Sequence, residues 1–133
     1  MLAICLLGAV ATAAQEPTAT PKPAATLANP ASDNCVSKGG RLIIEQRGDG
    51  GAYGVCLFED NRQCEEWALF RAECPVGGIK ITGYVTAAAR YCAITGGQYA
   101  VTDETDAEPE QGTCTLVNGQ VCDVWAYYAG ACG

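Results

Sequence analysis

The feature that most constrains this chain is the spacing of its cysteines, which repeats. Nine cysteines occur in 133 residues, and eight remain when Cys5 near the N-terminus is set aside. The eight form two sets of four, separated by 21, 8 and 10 residues in the first set and by 22, 8 and 10 in the second: Cys35, Cys56, Cys64, Cys74 and Cys92, Cys114, Cys122, Cys132. Such agreement at four successive positions indicates an internal duplication.

Other residues keep the same register between the two sets, at an offset of 57 to 58 positions. The matched pairs are Gly39-Gly40 with Gly96-Gly97, Gly54 with Gly112, and Trp67-Ala68 with Trp125-Ala126. We therefore expect two tandem modules, residues 29–77 and 86–133, with a connecting strand at 78–85.

Each module begins with the pattern of a short helix. Asn29-Pro30 supplies an N-cap and a proline at the first helical position, and Thr86 takes the cap role in the second copy. The glycine pairs that follow, Gly39-Gly40 and Gly96-Gly97, can adopt the left-handed conformation that ends a helix.

Strand and turn patterns follow, and a second helix closes each module. Arg41–Gln46 and Gly54–Phe58 are apolar and β-branched enough for strands, and Asn118-Gly119 is typical of a hairpin turn. Glu65–Glu73 and Asp123–Ala131 are predicted helical, with an acidic residue opening each helix. The predicted fold class is α+β, as two tandem small disulfide-stapled repeats, each a helix, an antiparallel strand meander and a helix.

Modules of this size are only marginally stable without cross-links, so we expect two disulfides in each. The preferred pairs are Cys35–Cys56 and Cys64–Cys74, with Cys92–Cys114 and Cys122–Cys132 in the second copy. The shorter loop requires the chain to leave its helix before the final cysteine, because ten helical residues span about 15 Å. Cys56–Cys74 is therefore the alternative.

The N-terminal part of the chain has the composition of an export signal and a tether. Residues 1–14 are apolar with small residues at a cleavage position, which is typical of a signal peptide. Lipidation at Cys5 is the alternative. Residues 15–28 are rich in Pro, Thr and Ala and are predicted to form a flexible linker. With so many cysteines, this pattern predicts a secreted or periplasmic location.

Charge and composition exclude several classes of function. The net charge is −7 without a basic cluster, which argues against binding to nucleic acid. There is no histidine, so the commonest general base and zinc ligand are missing. We predict no catalytic residues, no cofactor and no metal site.

Once the register is laid out, the first copy resembles a known bacterial family. The stretches NPASDNCVSKGG and GVCLFEDNRQCEEWALFRAEC are similar to a domain of unknown function, DUF333, whose members are often labelled hemolysins. Residues 86–132 match it more loosely, through CDVWAYYAGAC. The resemblance implies no established activity. The hemolysin label itself conflicts with the sequence, because no segment after residue 14 is long and apolar enough to insert into a bilayer.

Several residues invite a functional interpretation but have simpler structural ones. The acidic residues at the closing helices, Glu65, Glu66 and Asp123, are expected to complement helix dipoles. Trp67 and Trp125 are expected in the core. The two remaining features are an acidic loop and an adhesion-like tripeptide, for which we expect solvated turns: Asp103, Glu104, Asp106, Glu108, Glu110 and Arg47-Gly48-Asp49.

The function expected from the sequence is a non-catalytic extracytoplasmic module that binds a protein or a cell-envelope component. The alternatives are a secreted protease inhibitor, with Glu45–Tyr53 as its bait loop, and a hemolysin. No membrane insertion is expected. Because of its acidic loop, we also expect the second module to open before the first, with residues 102–111 the most mobile part of the modules.

Overall fold

The computed structural model describes Gly8 and residues 29–102 and 109–133. The predicted signal peptide and linker, Cys5 and most of the acidic loop therefore lie outside the described residues. The expected mobility of residues 102–111 stays a prediction.

The first module places a helix and a meander of strands before a second short helix. Asn29 caps the first helix by accepting hydrogen bonds from the amides of Ala31 and Ser32. The strands are antiparallel, and neighbouring strands along the chain pair with each other. The elements are α1 (Pro30–Ser37), β1 (Arg41–Gln46), β2 (Ala52–Phe58), β3 (Arg62–Glu65) and α2 (Glu66–Phe70).

The second module repeats this order with a smaller sheet. Thr86 caps its first helix through a hydrogen bond from the amide of Ala89. Its three strands again form an antiparallel meander. The elements are α3 (Ala87–Ile94), β5 (Gln98–Val101), β6 (Gly112–Thr115), β7 (Val121–Asp123) and α4 (Val124–Tyr128). The predicted α+β architecture of two similar halves is confirmed.

The closing helices are shorter than the sequence predicted. In place of 65–73, α2 covers five residues, and the chain turns back through Ala72, whose φ is 61°. The Cα atoms of Cys64 and Cys74 lie 5.8 Å apart, a distance that a helix continuing to residue 73 would exceed. The second copy, predicted helical over 123–131, has the same short helix, because its last two cysteines are also bonded.

The connector between the modules differs from the prediction. Its strand β4 (Ile79–Lys80) has two residues and pairs with β3, so it extends the first sheet as a fourth strand. The connecting strand was expected to cover 78–85. Gly77 and Gly78, both at positive φ, turn the chain back toward β3. The connector strand therefore pairs with the first module.

Four disulfides are present in the structure, and they are the preferred pairs. They are Cys35–Cys56, Cys64–Cys74, Cys92–Cys114 and Cys122–Cys132. All of these cysteines except Cys132 are fully or almost fully buried, and six of them belong to the two small cores. The longer loops, closed over 21 and 22 residues, each correspond to about 3 kcal/mol in the chain-entropy treatment.

A glycine packs directly against the first disulfide of each module. A Cβ atom at Gly40 would lie 2.2 Å from the sulfur of Cys56, and one at Gly97 would lie 2.5 Å from the sulfur of Cys114. The second glycine of each pair is therefore required by packing, whereas the first, at positive φ, is required by the backbone turn.

In the described ranges, no helix is long and apolar enough to cross a membrane.

Candidate binding groove between the modules

A groove of about 550 Å³ lies between the two modules and is lined by both. Tyr53, Tyr91 and Tyr127 contribute aromatic rings to it, and Trp67 contributes an indole. The other lining residues come from the β1–β2 turn, the residues on either side of α2 and the second module: Arg47, Glu65, Arg71, Glu73, Thr95, Gly97, Leu116, Val117, Asn118 and Gly133. Its composition is mixed, with aromatic, cationic and anionic groups on one surface.

The tyrosine rings pack against one another across the module boundary. Tyr53 of β2 meets Tyr91 of α3 edge to face, with ring centroids 5.0 Å apart. Tyr91 also contacts Tyr127 of α4 at 5.1 Å, and only 8% of Tyr91 is exposed. Contacts of this kind contribute about 1 kcal/mol each beyond their buried area, so the rings form a rigid floor.

The Trp67 side chain lies on the surface, although the sequence predicted it in the core. It is 37% exposed and packs edge to face against Phe70, which is 47% exposed. The five-residue helix has one buried side, which Ala68 and Leu69 occupy, so Trp67 and Phe70 are left outside. Trp125, also predicted in the core, is half-buried and packs against the second core, and its indole N–H donates to the carbonyl of Glu110 at 2.9 Å.

The charged groups of the groove are held in position by neighbours. Arg47 forms an ion pair with Asp49 at 3.0 Å, and the neighbouring Tyr91 side chain raises the pKa of Arg47. Its Nε atom is buried and has no hydrogen-bond partner in the described structure. Arg71, which also lines the groove, pairs with Glu73.

Burial perturbs the acids of this region. Burial raises the pKa of Glu65, although its carboxylate accepts hydrogen bonds from the amides of Trp67 and Ala68 and so caps α2. Burial also raises the pKa of Tyr53 to about 12 and raises that of Tyr91. The phenols of the floor therefore remain protonated and neutral at physiological pH.

A set of polar contacts around Arg90, called the latch below, joins the second module to the first. Arg90 of α3 forms a two-pronged ion pair with Glu45 of β1, and its Nε donates to Gln63 of β3 at 2.9 Å. Nearby, the hydroxyl of Tyr128 donates to the carbonyl of Gln46 at 3.1 Å. Because these bonds join different elements of both modules, they hold the groove's two sides at a defined separation.

The acidic residues singled out in the sequence have local structural roles. Glu65 and Asp123 cap α2 and α4. Glu66 is buried and accepts hydrogen bonds from the side chains of Asn29 at 3.0 Å and Ser32 at 2.6 Å. Among the described residues, no group of three or more His, Cys, Asp or Glu could hold a metal ion.

The adhesion-like tripeptide Arg47-Gly48-Asp49 forms a turn at the module interface. Its aspartate pairs with its own arginine and also accepts a bond from the amide of Gly51 at 2.8 Å. The amide of Gly48 donates to the carbonyl of Tyr128 at 3.2 Å. The turn is therefore engaged by the second module, which argues against Glu45–Tyr53 as a freely projecting inhibitor loop.

The groove itself was not predicted from the sequence. Its floor combines Tyr53, Tyr91 and Tyr127, which lie far apart along the chain and belong to different predicted elements. The one available signal was the tyrosine-rich closing helix of the second copy, where Tyr127-Tyr128 replaces Leu69-Phe70. When a leucine of the first copy is replaced by tyrosine at the matched position of the second, the two closing helices are expected to pack against different residues.

Both copies also match a family of proteins. Residues 26–73 and 83–131 each match the family described as "Domain of unknown function (DUF333)". The chain is 39% identical over 62 residues to proteins named "Uncharacterized protein YoaF" from Escherichia coli K12 and Shigella flexneri. The aligned region covers 47% of this chain and 73% of each relative. No solved structure matches the chain.

Proposed function

The chain belongs to the DUF333 family, and on that basis we propose that it is an exported, non-catalytic module that binds a protein or a cell-envelope component between its two copies of the domain. The observation that carries the proposal is the groove of about 550 Å³, whose aromatic and charged lining comes from both modules. Binding sites combine apolar rings with a few placed polar groups in this way.

Two features support an extracytoplasmic location. Four disulfides in a chain of this size are typical of proteins that fold in an oxidising compartment. In addition, residues 1–14 have the composition of a signal peptide.

The residues of the groove support binding rather than catalysis. Its carboxylates are engaged, since Glu65 caps α2 and Glu73 pairs with Arg71. No histidine occurs in the sequence, and eight of its nine cysteines are in disulfides. Nucleophilic catalysis needs an activated nucleophile next to a base, and these residues do not supply such a pair.

The proposal can be tested with one groove variant and one matched surface variant. Trp67→Ala removes the exposed indole from the groove, whereas Val36→Ala truncates a 64% exposed side chain on α1 that does not line it. Each oxidised protein would be immobilised, exposed to detergent-solubilised envelope extract and peptidoglycan fragments, and its bound material quantified by mass spectrometry.

We expect a component retained by the wild type and by Val36→Ala to fall at least about tenfold with Trp67→Ala, as is common for a central aromatic contact. Equal retention by both variants would exclude the groove as the binding site. Stoichiometric inhibition of a protease, or release of haemoglobin from erythrocytes, would instead support one of the two alternative functions.

A further inference from the structure

The basic residues of the described structure divide into two groups. Arg47, Arg71 and Arg90 each form an ion pair with a carboxylate. The other four form no ion pair with a described residue, and all belong to the first module or to the connector strand that pairs with it: Lys38, Arg41, Arg62 and Lys80. The first module of this acidic chain therefore carries a group of cations that its own carboxylates do not pair with.

Two of these cations line one pocket at an end of the first sheet. The pocket has a volume of about 350 Å³ and is lined by Arg41 at the start of β1 and Arg62 at the start of β3. These strands flank β2, so their backbones lie about 10 Å apart, which is less than the combined reach of two arginine side chains. Leu57 and Phe58, the last two residues of β2, contribute apolar groups to the same pocket.

Lys80 adds a third positive charge beside Arg62. The two residues lie directly opposite each other in the antiparallel pairing of β3 with β4. Like charges at opposed positions repel and lower the stability of a sheet. Glu59, the carboxylate among the lining residues, supplies one negative charge. The pocket and its edge therefore carry an excess of two positive charges, which a bound dianion would neutralise.

The second module shows that the fold does not require these cations. In the repeat register, Gln98 stands at the position of Arg41, and Gln120 stands at the position of Arg62. The strands of the second module nevertheless form the same antiparallel meander. The positive charge is thus specific to the first module, and the shared backbone does not explain it.

We propose that this pocket binds the phosphate monoester group of an organic ligand. A guanidinium group presents its N–H donors in a planar fork that matches the oxygens of a phosphate. A phosphate monoester carries about −1.5 to −2 charges at pH 7, close to the excess of the pocket, whereas a carboxylate carries a single charge. Leu57 and Phe58 provide contact area for the organic part of the ligand. Because this pocket and the groove share no lining residue, the site does not depend on the proposed function.

The first test is calorimetric titration of the oxidised whole chain at low ionic strength, with phenyl phosphate and inorganic phosphate as probes. Arg41→Gln and Arg62→Gln each introduce the residue of the second module, and Arg71→Gln removes the same charge from an exposed arginine outside the pocket. We expect saturable binding of phenyl phosphate, weakened at least about tenfold in either pocket variant and less than about twofold in Arg71→Gln. Inorganic phosphate should bind more weakly, because it has no apolar group to contact Phe58.

Thermal unfolding provides a second readout. Without ligand, Arg62→Gln should raise the Tm in low-salt buffer, because the substitution removes the repulsion from Lys80. With saturating phenyl phosphate, the order of the two melting temperatures should reverse, because a ligand stabilises most the protein that binds it most tightly. A wild type whose Tm does not respond to phenyl phosphate would contradict the proposal.

Vesicles of phosphatidylcholine, with and without phosphatidic acid, distinguish the source of the phosphate. Cosedimentation that requires phosphatidic acid and is lost in Arg62→Gln would assign the monoester to a lipid headgroup, and binding of phenyl phosphate without cosedimentation would assign it to a soluble ligand. Absence of saturable phenyl phosphate binding would overturn the proposal, whatever the vesicles show. Equal affinity of the wild type and both pocket variants would also overturn it. Neither of these two results bears on the groove, which is tested separately with Trp67→Ala.

Discussion

The two modules differ in the polarity of the side chain that is buried at the start of the closing helix. At the first position of the closing helix, the first module has a buried carboxylate, Glu66, and the second has a buried valine, Val124. The carboxylate is bonded to Asn29 and Ser32, whose counterparts are Thr86 and Ala89. The carboxylate and the Ser32 hydroxyl are thus replaced together by the apolar Val124 and Ala89, while Asn29 is replaced by Thr86, which keeps the helix-cap role. Such a joint exchange is expected because a buried carboxylate is tolerated only when its partners are present.

Both modules have a glycine at the matched position of the central strand, and its missing side chain leaves space for a neighbouring group. A Cβ at Gly54 would lie 2.4 Å from the Glu66 carboxyl, whereas a Cβ at Gly112 would lie 2.3 Å from the ring of Tyr99. The same absent side chain accommodates a carboxylate in one module and an aromatic ring in the other. A matched position in a repeat therefore predicts the backbone and the available space, but not the group that fills it.

The modules also differ in what covers their closing helices. Tyr128 of α4 is held against the first module by bonds to the backbone of β1 and its turn, while the equivalent Phe70 of α2 is 47% exposed. Arg90, which forms the latch, stands where the first module has Asp33. Asymmetric substitutions in a symmetric scaffold thus create the groove.

The largest expected effect tests whether the two cores depend equally on their cross-links. Replacing Cys35 and Cys56 with alanine, or Cys92 and Cys114, should lower the free energy of unfolding by about 3 kcal/mol in each case, because the closed loops are of nearly equal length. Denaturant unfolding of both double variants provides the comparison. A difference above about 1 kcal/mol would show that packing around one disulfide dominates the entropy of its loop.

The next effect concerns the buried carboxylate. Glu66→Val alone should cost about 2 kcal/mol, because it leaves the side chains of Asn29 and Ser32 without their acceptor. Adding Asn29→Thr and Ser32→Ala, which completes the second module's solution, should restore more than half of that loss. Urea unfolding of the single and triple variants measures both values, and a triple variant less stable than the single one would contradict the equivalence of the two cores.

Arg90→Ala should cost about 1.5 kcal/mol and uncouple the modules, since it removes the ion pair with Glu45 and the bond to Gln63. Native-state hydrogen exchange at Val55 and Thr113, one in each central strand, reports on the coupling. Thr113, in the module expected to open first, should be the less protected amide in the wild type, and the gap between the two amides should widen in the variant. Unchanged protection at both would mean that the aromatic contacts alone unite the modules.

A smaller difference separates the two helix-ending glycines. Gly39 and Gly96 have nearly equal φ values of 90° and 93°, so alanine at either position costs about 1 kcal/mol of backbone strain. At Gly96 the new Cβ would also lie 2.5 Å from the carbonyl oxygen of Glu73 in the first module. Gly96→Ala should therefore be destabilising by about 1 kcal/mol more than Gly39→Ala in thermal or urea unfolding. Equal losses of stability in the two variants would indicate that the backbone at Glu73 can move away from the new Cβ without a loss of free energy.

The smallest effect is a pH dependence at the first module's buried cap. Burial raises the pKa of Glu65 in the folded protein above its usual value of 4.5, so the contribution of this residue to stability is fully present below pH 4.5 and is lost as the pH rises through the raised pKa. Relative to the wild type, Glu65→Gln should therefore gain stability between pH 4 and pH 7. Urea unfolding across this range would show the trend, and a constant difference between the two proteins would argue against it.

The sequence by itself determined the duplication, the order of elements and the family. Cysteine spacing, glycine pairs and helix caps such as Asn29 and Thr86 act over a few residues or through one covalent bond, so they can be recognised in a linear pattern. The short loop between Cys64 and Cys74 even implied that the helix must end early, although its end at Phe70 required the structure.

Only the tertiary structure decided how the two modules meet. Three features depend on residues that are far apart in the sequence. They are the exposure of Trp67, the tyrosine floor of the groove and the ion pair between Arg90 and Glu45. The same tryptophan, in the same local motif, is half-buried in the second module because its surroundings differ there. Burial depends on what packs against a helix, and local sequence patterns do not encode the position of a neighbouring module.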